Sequence, residues 1–264
     1  MSTGETTTAG TASEYLIRLE HVRKAFGKYV VFEDLSIGLR RGETTVVLGA
    51  SGVGKSVLLK LILGLLKPTR GRLFVDGTEI SHLSERDLVE VRKRFGMVFQ
   101  GAALFDFMTV YENVAFGLHE HKDLPENEVR RIVAQKLALV DMAGTEKLLP
   151  EQLSGGMRKR VGLARAIAME PEVLLYDEPT TGLDPVTADT INDLILRCQR
   201  ELKTTSIVVT HDMASAYKVG DRMILIYEGK VIADAAPDQI RRHPDIRVQR
   251  FIHGDASLKA APQA

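Results

Sequence analysis

A lysine and a serine close a glycine-rich run, GASGVGKS, from Gly49 to Ser56. That pattern suits phosphate. Glycine lets the backbone of the run (Gly49, Ala50, Ser51, Gly52, Val53, Gly54) approach phosphate oxygens and turn its N–H groups inward. Lys55 in such a loop reaches the β- and γ-phosphates of a nucleotide, and Ser56 sets its hydroxyl on Mg²⁺. The plain alternative is a glycine turn that binds nothing. The flanks argue against it. TTVVL (Thr44 to Leu48) reads as a short buried strand, and VLLKLILGLL (Val57 to Leu66) reads as a helix whose N-terminus adds a partial positive charge. The run by itself points to a nucleotide. It does not choose between a kinase, a GTPase and a transporter motor.

Polar groups recur where other apolar runs end. VLLYDE ends in Asp177 and Glu178. A carboxylate at the end of a buried strand is costly unless it meets a cation. Asp177 suits the Mg²⁺ shell, and Glu178 suits polarising an attacking water. The plainer role for the pair is capping the next helix. His211 ends SIVVTHD and is placed for a γ-phosphate, although a lone histidine is more often structural. Gln100 ends GMVFQ and can join Mg²⁺ and water. LSGGM, Leu153 to Met157, opens a helix with Ser154, Gly155 and Gly156, a second anion-binding N-terminus. A nucleotide needs one cradle, so a second suggests service to a nucleotide held by another copy of the chain.

These residues need a scaffold of alternating strands and helices. Tyr15 to Leu19 begins a first strand, and β-type segments follow on either side of a Gly27-Lys28 turn. Phe26 reads there as an apolar strand residue. RGRLFVDG is a strand closed by a turn, and Ser84 with Asp87 caps a short helix. From 101 to 153 the β-branched runs thin out. Pro125, Glu126 and Glu128 suit a helix first turn, and Val129, Ile132, Val133, Leu137 and Val140 mark one apolar face. This segment is a helical insertion in an α/β chain. Pro185 to Leu202 is amphipathic, MILIYEGKVIAD is a β-pair turning at Glu228-Gly229, and 237–253 carries two short helices, the second capped by Asp245. Residues 1–13 and 255–264 are small and polar and read as disordered tails. Polar residues at the ends of apolar strands are how an α/β sheet presents a ligand site.

Composition narrows the function class. The chain has 264 residues, 44% hydrophobic and 27% charged, which is ordinary for a globular protein. Formal net charge is zero, without the basic excess of a nucleic-acid binder. No apolar run reaches the length of a membrane span, and the N-terminus lacks a signal-peptide layout. The expectation is a cytoplasmic protein whose membrane role comes through a partner. The single Cys198 suits a reducing compartment. It falls on a helix face with Ile191, Leu194, Ile195 and Leu202, so it reads as a small core side chain.

With these residues in place, the chain resembles the ATP-binding cassette (ABC) ATPase family over roughly residues 15–240. Walker A is GASGVGKS, the Q-loop glutamine is Gln100, the signature is LSGGM, Walker B is VLLYDE, the D-loop is TGLD (Thr181 to Asp184) and the switch histidine is His211. Phe26 falls where the family has its adenine-stacking aromatic. The resemblance implies an α/β fold: a P-loop NTPase (RecA-like) core with an antiparallel β subdomain and an inserted α-helical subdomain at about 101–157, within a domain spanning 14–254 that ends in helices at 237–253. It implies a head-to-tail dimer that sandwiches two ATP–Mg²⁺. Phe26, the run from Gly49 to Val57, Gln100 and Asp184 would contact nucleotide, with Ser154, Gly155 and Gly156 supplied by the other copy. Ser56, Gln100 and Asp177 would hold the metal, and Glu178 and His211 would serve hydrolysis. A coupling helix from transmembrane permease subunits would dock on the helical subdomain.

Two departures carry information. The signature ends in Met157 where the family commonly has glutamine, and Val57 stands where a threonine is common. Both, with GAALFDFMTVYENVAFGL and PDIRVQRFIHG, resemble the branch that powers MCE-associated lipid transporters, the Mla type. That branch implies a phospholipid or other hydrophobic cargo moved between bacterial membranes, an MCE-domain lipid-binding partner, a small regulatory protein, and a peripheral seat on the cytoplasmic face of the inner membrane. The rivals are an ABC importer ATPase for a small polar solute and a soluble ABC ATPase acting on nucleic acid or the ribosome. No sustained heptads lie between Gln100 and Leu153, the chain carries a single cassette, and net charge is zero. All three count against the second rival.

Overall fold

The structure, a computed structural model, describes residues 14–254. The tails read at 1–13 and 255–264 lie outside the described residues. In chain order, β1 (Tyr15–Phe26) and β2 (Tyr29–Arg40) form an antiparallel hairpin, and β3 (Thr44–Leu48) leads through the glycine run into α1 (Lys55–Ile62). β4 (Arg70–Val75), β5 (Thr78–Glu79), α2 (Glu85–Arg92) and β6 (Phe95–Val98) follow. The helical stretch holds α3 (Val110–His121), α4 (Glu126–Leu139), a 3₁₀ turn at Pro150–Gln152 and α5 (Gly155–Ile167). The chain then alternates through β7 (Val173–Asp177), α6 (Pro185–Leu202), β8 (Thr205–Thr210) and α7 (Met213–Val219). It finishes with β9 (Arg222–Tyr227), β10 (Lys230–Ala235), α8 (Pro237–Arg241) and α9 (Ile246–Ile252).

Two sheets result. The smaller, in the order β2-β1-β4-β5, is antiparallel. The larger has six strands in the order β10-β9-β3-β8-β7-β6 and is parallel from β9 to β6, with β10 antiparallel at its edge. Parallel strands covered on both faces read as unbroken apolar runs. That is why TTVVL is buried along its whole length. Alternate residues serve opposite layers. Val47, Leu175, Ile207, Val209 and Ile224 pack with the small sheet and with Leu58, Leu59, Leu61 and Ile62 of α1. Val46, Leu48, Leu174, Tyr176 and Val208 pack with the helices, including Val114, Leu118, Val133, Leu137, Val161 and Ile167. The helical stretch therefore shares one continuous apolar cluster with the back of the large sheet. Fully burying a leucine or isoleucine is worth roughly 1.5–3 kcal/mol. The four of them on α1 hold that short helix, and the loop before it, against the sheet.

The apolar run Val57 to Leu66 predicts a helix to Leu66, but α1 starts at Lys55 and ends at Ile62. Gly64 has φ +64°, and the N–H groups of Leu65 and Leu66 turn back onto the Lys60 carbonyl at 2.9 and 3.1 Å. A left-handed glycine closing a helix in this way overrides the apolar pattern. The earlier start matters more, because it makes Lys55 and Ser56 first-turn residues. Other expectations match the element ends. Ser84 caps α2 by accepting from the Asp87 N–H at 3.3 Å, and Asp245 caps α9 by accepting from the Arg247 N–H at 2.8 Å.

Candidate functional site

The strands β3, β8, β7 and β6 are parallel neighbours, so their carboxyl ends lie along one sheet edge. The glycine run leaves β3 there, His211 follows β8, Glu178 follows β7, and Gln100 lies just beyond β6. Gly54 is the N-cap of α1 in a left-handed conformation (φ 106°), and a Cβ on it would meet Val31 Cγ1 at 2.4 Å and Phe32 Cζ at 2.8 Å. The β1–β2 hairpin thus lies against the loop, with Phe26 at its tip, 46% exposed and with the Lys24 ammonium 4.6 Å from the ring centroid. A glycine cap offers no side-chain acceptor. The first-turn N–H groups of α1 are left for an outside anion, whereas Ser154, Asp184 and Asp212 fill that place on α5, α6 and α7.

Lys55 is buried, donating to the carbonyls of Gly49 at 2.8 Å and Ala50 at 3.2 Å. Its ammonium also lies 3.3 Å from Glu178 Oε1. The Ser56 hydroxyl donates to Asp177 Oδ1 at 3.0 Å. Glu178 Oε2 accepts from His211 Nδ1 at 2.9 Å and from the hydroxyls of Thr181 and Thr210, both at 3.2 Å. Burial pushes the Glu178 carboxyl up, yet the His211 hydrogen bond and the Lys55 charge together outweigh burial and hold it below its ordinary value. Asp177 moves the other way. Burial dominates and raises it, against the Ser56 hydrogen bond, with the Glu178 charge adding to the rise. Adjacent carboxylates driven in opposite directions suit different tasks. The contacts of Glu178 favour its ionised form. Burial holds the Asp177 carboxyl above its ordinary value, and a cation beside it would favour its ionised form.

Those groups fit an Mg²⁺-bound nucleotide. Among the described residues no cluster of three or more His, Cys, Asp or Glu side chains could hold a metal ion by itself. Mg²⁺ needs no such cage, since it is commonly held by one or two protein oxygens together with substrate phosphates. Ser56 and Asp177 are such a pair. Gln100 is exposed, and no hydrogen bond among the described residues joins it to either of them. Its loop is nevertheless fixed. Ala102 and Ala103 both have positive φ, 62° and 49°, and Arg165 of α5 donates to their carbonyls at 2.8 and 2.7 Å.

Ser154, Gly155 and Gly156 are not brought to the loop of their own chain. Ser154 and Gly155 are exposed, and the Ser154 hydroxyl accepts from the Met157 N–H at 3.2 Å as an ordinary helix cap. The two glycines differ. A Cβ on Gly156 would meet Thr187 Cγ2 at 2.5 Å, so packing against α6 requires that glycine, whereas at Gly155 the nearest atom is Leu183 Cδ2 at 3.9 Å. Asp184 likewise has a local task, since its carboxylate accepts from the N–H groups of Val186 and Thr187, each at 3.0 Å, as the N-cap of α6. Sequence reasoning missed Thr210 and Lys159. Lys159 is buried and donates to the carbonyls of Pro179 at 2.7 Å and Thr181 at 2.8 Å, in the loop that follows Glu178. The available signal was a lysine at an inward position of an otherwise amphipathic helix.

Comparison with known proteins places the chain among its relatives. The profile of the ABC transporter family matches residues 32–181. The chain is 42% identical over 244 residues to the intermembrane phospholipid transport system ATP-binding protein MlaF of Haemophilus influenzae, covering 92% of each. It is 41% identical over 238 residues to the probable ribonucleotide transport ATP-binding protein mkl of Mycobacterium bovis, covering 90% of this chain and 66% of that one. Among solved structures it resembles CbiO1 of Clostridium perfringens, part of the ABC transporter complex cbiONQ, with TM-score 0.81, 32% identity and coverage of 90% and 94%. It also resembles the dimeric ATP-binding cassette MJ0796 bound to ADP and Pi, with TM-score 0.77, 31% identity and coverage of 84% and 98%.

Proposed function

The chain belongs to the ABC transporter family, as an ATPase that drives a membrane transporter, and from that premise we propose that its site is half of a two-chain ATPase centre and that its cargo is phospholipid. The observation that carries the cargo is the 42% identity to a phospholipid transport ATP-binding protein over 92% of both chains. A second reading has support of its own, because a relative 41% identical is named for ribonucleotide transport.

The loop from Gly49 to Val57 binds the ATP phosphates through backbone N–H groups. Phe26 takes the adenine. Lys55 leaves the Gly49 and Ala50 carbonyls for the β- and γ-phosphates, and in doing so uncovers Glu178. Ser56 and Asp177, with Gln100, would hold Mg²⁺, which when bound would neutralise phosphate charge. Glu178 accepts a proton from the attacking water. His211, bonded to Glu178 through Nδ1, orients that carboxylate. Ser154 and Gly155 close the site of a second copy arranged head to tail, and Asp184 sets the loop beside them. The helical part at 101–157 receives a transmembrane permease. The partners are that permease, an MCE-domain lipid-binding protein and a small regulatory protein, and the chain sits on the cytoplasmic face of the inner membrane. Among the described residues no helix is long and apolar enough to cross a membrane, in keeping with attachment through a partner.

Glu178→Gln is expected to bind ATP, accumulate an ATP-bound dimer and lose about 10²–10⁴-fold in turnover, the usual worth of a general base. Robust turnover in that variant removes Glu178 from the chemistry. Ser154→Arg is expected to abolish turnover with nucleotide binding near normal, and equal loss of binding refutes its action on the other copy. Purification with the membrane partners decides the cargo. An MCE-domain protein and co-purifying phospholipid support this reading, and a solute-binding protein in their place refutes it.

A further inference from the structure

Among the described residues the buried lysines are Lys55, Lys136 and Lys159. Lys55 meets Glu178, and Lys136 meets Glu170 at 3.0 Å. Among the described residues Lys159 meets no carboxylate within ion-pair distance. It spends its ammonium on the Pro179 and Thr181 carbonyls at 2.7 and 2.8 Å. Burying a charge this way is costly, and its pKa is pushed down by desolvation. A side chain needed only to fill space on α5 would be apolar.

The position explains the expense. Lys159 stands one turn beyond Gly155 on α5, so it moves with Ser154 and Gly155. The carbonyls it holds flank Thr180, directly after Glu178 and before Asp184. The same loop is held from the far side, where the Thr180 hydroxyl lies 3.3 Å from the Ser215 hydroxyl. Ser215 in turn donates to Asp212 Oδ2 at 2.5 Å, next to His211. The packing of Gly156 on Thr187 joins α5 to the start of α6 a second time.

We propose that Lys159 is a positioning residue that locks the 179–184 loop onto α5, so that Glu178 in the chain's own site and Ser154 and Gly155, offered to the other copy, move as one body. The inference rests on the two-chain reading given above. In a head-to-tail pair this lock makes the closure of one nucleotide site depend on the state of the other, which is a coupling free energy between sites.

The test uses Lys159→Met, which keeps the stem and removes the donors, and Lys159→Arg, which restores donors. ATP binding, melting temperature and turnover against ATP concentration are measured on the purified protein. Lys159→Met should bind ATP within about twofold of the parent, while kcat falls about tenfold or more, the scale of misplacing a reacting group. Cooperativity in ATP should also weaken, and Lys159→Arg should recover both. Parental kcat and cooperativity in Lys159→Met overturn the proposal. So does a parallel fall of ATP affinity, kcat and melting temperature that arginine does not rescue, since that is the behaviour of packing alone. Glu178→Gln run beside it separates the two ideas. An inactive Glu178→Gln with a normal Lys159→Met refutes only the lock, whereas turnover in both refutes the reading of the site as well.

Discussion

The two signature glycines make opposite demands, and substituting each with alanine tests the whole description of α5. A Cβ at position 156 would lie 2.5 Å from Thr187 Cγ2, and carbon atoms in contact sit about 3.5–4.0 Å apart, so about 1 Å of movement is required. Thr187 is badly placed to yield. Its side chain is β-branched and stiff, its hydroxyl donates to Asp184 Oδ2 at 2.6 Å, and its N–H donates to Asp184 Oδ1 at 3.0 Å. Turning it away breaks the cap of α6. Overpacking of this kind costs about 1–3 kcal/mol, and the better helix propensity of alanine returns up to about 1 kcal/mol. Gly156→Ala should therefore destabilise the chain by about 1–2 kcal/mol. At position 155 the nearest atom is 3.9 Å away, an ordinary contact, so only the propensity gain of up to about 1 kcal/mol remains. The two variants should differ by about 2 kcal/mol, or roughly 4–8 °C in melting temperature for a chain of this size. Thr187→Ser removes Cγ2 and keeps the capping hydroxyl. The double variant Gly156→Ala/Thr187→Ser should recover stability, with a coupling of about 1 kcal/mol. Thermal and urea melts of the nucleotide-free chain read these differences, and ATP turnover reads the rest. Gly155→Ala should fold well and turn over poorly, because in the proposed two-chain site its exposed face is offered to the other copy. Gly156→Ala melting at or above Gly155→Ala refutes the packing argument. Parental turnover in Gly155→Ala refutes the assignment of that face.

Two further outcomes follow from the buried groups. Asp177 has its carboxyl pushed up by burial, so its ionised form opposes folding above that raised value, and the opposition fades as pH falls through it. Asp177→Asn should therefore melt higher than the parent at pH near 7 while losing Mg²⁺-dependent turnover; a lower melting temperature refutes the electrostatics, and retained turnover refutes the metal role proposed for Asp177. Cys198 is buried on α6, and burial pushes its thiol up to about 12; an aromatic disulfide reagent at pH near 8 should leave it untouched in the folded chain and label it fully in urea, with fast labelling of the native chain as the refuting result.

Much of this site is legible because parallel strands buried on both faces must be apolar throughout and can turn polar only where they end. Gly49, Gln100, Asp177 and His211 announce themselves by interrupting such runs. The α6 face of Ile191, Leu194, Ile195 and Cys198 is equally plain, since a helix with one wet side must repeat its apolar residues. What stays hidden depends on contacts between distant elements. The pairing of β1 with β4 joins segments separated by the whole glycine loop and α1, and no local pattern specifies it. Gly155 and Gly156 look alike in the sequence, and only Thr187 on another helix tells them apart. Asp184 reads as a nucleotide contact by resemblance, yet its carboxylate is engaged in capping α6, a task visible once α6 is known to begin at Pro185.

The geometry at Glu178 cannot be read from any pattern, and the proposed chemistry depends on it. Successive side chains on a strand point to opposite faces. Continued to Glu178, β7 would aim one carboxylate at the loop and the other away from it. Instead Glu178 has φ +49°, a left-handed conformation that a non-glycine residue adopts at a cost of roughly 1–3 kcal/mol. Such strain persists only where surrounding contacts over-determine it. Here the Glu178 N–H donates to the Val209 carbonyl at 2.9 Å, which ties the turn to β8. The carboxylate adds Lys55, His211, Thr181 and Thr210. The turn brings Asp177 to Ser56 and Glu178 to Lys55, two adjacent acids on two adjacent residues of one helix end. It also separates their surroundings, so that burial governs Asp177 while hydrogen bonds and a cation govern Glu178. One backbone angle thus gives two adjacent carboxylates different surroundings, the difference on which the proposed division into metal ligand and base rests.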